Sequence, residues 1–87
     1  MRDKETEVLL IAIEIEVYLD AHPNAADTLG GICKWWLNRM DIEQVAYTVE
    51  LALKDLEKKN VVIKIISVDG KEIYRLAKDL DPESNSN

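Results

Sequence analysis

Apolar positions along the chain form three helix-period stretches followed by two short β-branched runs. In the first, Val8, Ile11, Ala12, Ile15 and Leu19 fall on one side at about 100° per residue, with Tyr18 at the edge. Leu10, Ile13 and Val17 fall on the other side, set off by Glu14 and Glu16. Read alone, Ile13-Glu14-Ile15-Glu16-Val17 alternates like a strand and is rich in β-branched residues. The stretch is long for a strand, however, and Glu5 and Glu7 suit the positive end of a helix dipole. A helix over about residues 5–21 follows, stopped at His22-Pro23 because the residue before proline is pushed out of the α region.

A second helix is expected from an N-cap at Asp27 through Leu29, Ile32, Cys33 and Trp36, an i, i+3, i+4, i+7 stripe. Gly30 and Gly31 weaken it by roughly 1 kcal/mol each relative to alanine and leave room for a neighbouring helix. Trp35 and Trp36 point about 100° apart, so Trp36 joins the buried stripe and Trp35 stays partly exposed. A third helix opens at Asp41-Ile42-Glu43-Gln44, a capping-box pattern with Asp41 as cap and Gln44 reaching back. Val45, Val49, Ala52, Leu53 and Leu56 make its apolar face, and Asn60 suits a left-handed cap after Lys58 and Lys59.

Val61 to Val68 and Lys71 to Ala77 read as a hairpin about Asp69-Gly70, the preferred type I′ turn. A two-residue turn pairs Ile66 with Ile73, Ile65 with Tyr74, Lys64 with Arg75 and Ile63 with Leu76. Ile63, Ile65, Tyr74 and Leu76 are then the core face. The fold class is α+β, mainly α: a three-helix core with a C-terminal hairpin in one domain over 1–78. The polar run 79–87 reads as a disordered tail.

Charge narrows the function. The chain has 11 basic and 17 acidic residues, a net of −6, which works against non-specific phosphate binding. A single cysteine excludes an intrachain disulfide, and the opening Met1-Arg2-Asp3-Lys4-Glu5 is no signal peptide. The apolar run of the first helix is broken by Glu14 and Glu16, short of the roughly 20 residues of a membrane span, so a cytoplasmic location is expected. One histidine (His22), one cysteine (Cys33) and no glycine-rich phosphate loop leave neither an enzyme's catalytic set nor a metal or cofactor site.

Helix, helix, capped helix and hairpin is the element order of a winged helix-turn-helix. The stretch from Thr48 to Val62, TVELALKDLEKKNVV, resembles the third helix and first wing strand of small bacterial transcription regulators of that superfamily. Asn60 stands where a glycine is usual. The resemblance covers the layout of residues 8–77 and is specific over about 48–77. It implies binding to double-stranded DNA, with Gln44, Tyr47, Thr48, Leu51 and Lys54 facing the major groove and Lys64, Lys71 and Arg75 on the wing at phosphates.

The residues also support a second reading. Glu43, Glu50 and Asp55 place negative charge on or beside that same helix face, and Leu51 is apolar where a phosphate-seeking side chain is expected. An interaction module that contacts a protein through Leu51, Tyr47 and Trp35 fits these features. Either way the second stripe of helix one, Leu10, Ile13 and Val17, calls for a partner, and a homodimer across a two-fold axis is the simplest.

Overall fold

A computed structural model describes residues 3–77. The expected boundary at residue 78 and the tail 79–87 lie outside them. The elements run α1 (Lys4–Ala21), β1 (Ala26–Asp27), α2 (Leu29–Gly31) continuing into a π-helical turn (Ile32–Trp36), α3 (Ile42–Lys58), β2 (Val62–Ile66) and β3 (Glu72–Leu76). They make a mainly helical α+β domain with three helices and one antiparallel sheet, ordered β1-β3-β2. Among the described residues no helix is long and apolar enough to cross a membrane.

The helix ends show how local chemistry sets the boundaries. Asp3 caps α1 by accepting from the Thr6 N–H at 2.8 Å, and that bond holds its carboxyl below the usual value. His22 closes the helix, as the following proline requires, with its N–H donating to the Tyr18 carbonyl at 2.8 Å. The α2 cap is Thr28, whose hydroxyl accepts from Gly31 N–H at 3.2 Å; the expected cap, Asp27, belongs to β1. The capping box at α3 does not form. Asp41 makes no side-chain cap bond, and its backbone carbonyl instead accepts from the N–H groups of Gln44 and Val45. Asn60, at φ 63°, makes the expected left-handed cap: Val61 N–H reaches the Leu56 carbonyl and Asn60 N–H the Glu57 carbonyl.

The core is where the helical periodicities placed it. Ile11, Ala12, Ile15 and Leu19 of α1 meet Val49, Ala52, Leu53 and Leu56 of α3, with Ile32, Cys33 and Trp36 closing the end. Trp36 stacks on Tyr18 at 4.9 Å between ring centroids, and Tyr18 packs against His22 at 4.4 Å. Cys33 is fully buried, and burial pushes its thiol above the ordinary value. A thiol reagent should therefore modify the native chain only as fast as the core opens, and at full speed in denaturant. Equal rates in the two conditions would place Cys33 outside the core.

The hairpin is corrected by one residue. Ser67 N–H donates to the Lys71 carbonyl and Gly70 N–H to the Ser67 carbonyl, so three residues, Val68 to Gly70, cross the turn. Gly70 takes φ 88° while Asp69 does not turn positive, which excludes a type I′ turn and fits a type I turn followed by a glycine bulge. The pairs become Val62–Leu76, Ile63–Arg75, Lys64–Tyr74, Ile65–Ile73 and Ile66–Glu72. Since a one-residue slip flips a strand, Ile63 and Ile65 leave the expected core face and Val62 enters the core opposite Leu76. Tyr74 stays inward as expected. On its far edge β3 also pairs with β1, Ala26 opposite Arg75 and Asp27 opposite Tyr74.

Candidate functional site

The residues expected at DNA divide into three groups. Gln44, Tyr47 and Lys54 are exposed along α3, with Leu51 half-buried beside them. Thr48 is turned inward, only 8% exposed, and its hydroxyl accepts from the Lys4 ammonium of α1 at 3.2 Å. The same ammonium lies 5.3 Å from the centre of the Tyr47 ring. The start of α1 therefore occupies part of the surface that a groove-reading helix would present.

The hairpin changes most. With Lys64 opposite Tyr74 and Arg75 opposite Ile63, the expected like-charge pair Lys64–Arg75 does not exist; the two side chains stand on opposite faces. Lys64 approaches the Glu72 carboxylate at 3.6 Å, and first the Tyr74 phenol, then Glu72, holds its ammonium above the usual lysine value. Lys71 lies 3.9 Å from the Asp69 carboxylate, which in turn accepts from the Ser67 hydroxyl. Such exposed pairs contribute little to stability, but they place an anion beside each lysine that a phosphate would need. Along α3 itself, four carboxylates stand against two lysines. Among the described residues, α3 and the hairpin form no concentrated positive surface.

A different surface is better built. Four large aliphatic side chains of α1 point into solvent: Leu9 at 53% exposure, Leu10 at 36%, Ile13 at 46% and Val17 at 62%. Ile13 and Val17 form a ridge with a groove on each side. The first groove lies between this ridge and the base of the hairpin, floored by Val61, Leu76 and Leu19, with Glu16 and Asp20 on its rim. The second runs between the ridge and the end of the π-helical turn, against Tyr18, Trp36 and Leu37. Their volumes, about 290 and 320 Å³, are at the small end of ligand pockets, and both are open along the helix. They suit a partner's side chains better than an enclosed small molecule. The sequence pattern marked Leu10, Ile13 and Val17; it could not show the grooves, which need the hairpin and the turn brought alongside α1.

Trp35 is exposed, at 65%, with the Lys34 ammonium 5.3 Å from the centre of its indole. Met40 and Tyr47 are exposed too. Among the described residues, no three His, Cys, Asp or Glu side chains are grouped to hold a metal ion. Compared with protein-family models, with curated proteins and with solved structures, the chain gives no match.

Proposed function

We propose that this chain is a small interaction domain on a winged-helix scaffold, which docks another protein through the outer face of α1. The scaffold reading is supported by the order helix, short strand, helix, helix, hairpin, with the short strand seated against β3. The docking reading rests on one observation: an aliphatic ridge of α1 left in solvent between two apolar grooves. Burying Leu10, Ile13 and Val17 against a partner is worth about 1.5–3 kcal/mol each before association costs.

A DNA-reading function is the second reading, favoured by the exposure of Gln44, Tyr47 and Lys54 on one face of α3. Two measurements decide between them. Under the docking reading, the chain binds the apolar dye bis-ANS, Val17→Lys or Ile13→Lys lowers that binding several-fold with the helical circular dichroism unchanged, and duplex DNA is not retained on filters even at low salt. Retention that falls steeply with salt and weakens on Lys54→Ala and Lys71→Ala would establish the DNA reading instead.

A further inference from the structure

The charges around the α1 ridge specify what kind of partner fits it. The helix carries five carboxylates and a single lysine, Lys4, which is already turned toward Thr48 and Tyr47 on α3. On the rim of the groove beside the hairpin stand Glu16 and Asp20, one helical turn apart, with no cation paired to either among the described residues. Like charges at i, i+4 repel, and Asp20 also sits in the last turn, where the helix dipole disfavours an anion and no basic residue offsets it. Across the ridge Glu14 lies on the rim of the second groove, 3.6 Å from Arg39.

We infer that the occupant of this face is a basic amphipathic helix of another protein, its aliphatic stripe in the groove and its Lys or Arg side chains at Glu16 and Asp20. This inference rests on the docking reading above and adds the chemistry of the partner. A second copy of the chain fits poorly, because pairing two α1 helices brings their carboxylates together with no free lysine between them. The chain's own residues 78–87 carry Asp79, Asp81 and Glu83 against Lys78, so they bring the wrong sign as well. A basic helix supplies both missing parts, an apolar stripe and cations, in the geometry by which amphipathic helices enter grooves.

The test uses the full chain and two labelled synthetic helices of about five turns, with one leucine stripe and either lysine or glutamate on the flanks. Fluorescence anisotropy should show the lysine helix binding at least about 10-fold more tightly than the glutamate helix at low salt, the difference shrinking as salt shortens the Debye length. Val17→Lys should abolish binding of the lysine helix. Glu16→Lys with Asp20→Lys should reverse the preference, whereas Glu43→Lys with Glu50→Lys, an equal change in net charge on α3, should leave it in place. Equal affinities for the two helices, or a preference moved as much by the α3 pair, would overturn the inference while leaving the docking reading intact. Binding of neither helix would overturn it too, and the bis-ANS result then judges the docking reading separately. A dimer in sedimentation that Ile13→Lys dissociates would assign the face to a second copy.

Discussion

Leu53→Ala is expected to destabilise the domain by about 2–5 kcal/mol. Leu53 is fully buried at the centre of the inward face of α3, flanked by Val49, Ala52 and Leu56, all with 1% exposure or less. Removing its branched end forfeits the transfer energy of three heavy atoms and leaves a cavity that two rigid helices cannot fully close. Domains of this size hold only about 5–15 kcal/mol in total, so the variant should unfold at a melting temperature lower by about 4–8 °C for each kcal/mol lost. Urea titration followed by circular dichroism measures this, and Cys33 labelling should accelerate in parallel because the same opening exposes it. A loss under about 1 kcal/mol would mean that the α1–α3 interface is not the core described above.

The two adjacent glycines are expected to respond in opposite directions. A methyl group on Gly30 meets nothing within 4 Å, so Gly30→Ala should stabilise by about 0.5–1 kcal/mol through helix propensity and a less flexible unfolded chain. On Gly31 the same methyl group would overlap the Asp27 carboxylate, which is tied down by accepting from the Thr28 N–H at 2.8 Å. Gly31→Ala should therefore cost about 1–3 kcal/mol net, since the clash exceeds the propensity gain. Combining it with Asp27→Gly should recover much of that loss, and the non-additivity measures the overlap directly. Additive behaviour, or a stabilising Gly31→Ala, would show that Asp27 moves aside freely.

The glycine pair was expected to leave room for a neighbouring helix, and no helix fills that place at either glycine. At Gly31 the neighbour is a β1 side chain rather than a helix, and at Gly30 there is no neighbour. β1 itself was illegible: two residues carry no periodicity, and only the exposed edge of β3 makes Ala26 and Asp27 a strand. The α3 cap failed for a related reason. The letters of a capping box were present, but Asp41 enters the helix at φ −89° and ψ 58°, away from the extended backbone of Asp3 and Thr28, and its side chain makes no cap bond. On the candidate site, Tyr47 and Thr48 looked equivalent as groove contacts, yet one is exposed and the other bonded to Lys4 under α1. The two stand about 100° apart, with Thr48 at the edge of the buried stripe, and only packing shows on which side of that edge its hydroxyl falls.

Three things were settled by the order of residues alone: that α1 is apolar on both sides, which side of α3 is buried, and that the chain after Asn60 returns on itself. Each follows from a local repeat of about 3.6 or 2 residues, or from a residue that tolerates a left-handed backbone, and needs no distant contact. The register of the hairpin, the pairing of Lys64 with Glu72 and the two grooves beside Ile13 and Val17 were decided by tertiary structure. A turn of two residues and a turn of three share the letters Asp-Gly, and their choice depends on which strand face the helices can bury. The grooves exist only because segments some 20 to 60 residues from the ridge are packed against the same helix, a relation that no local pattern encodes.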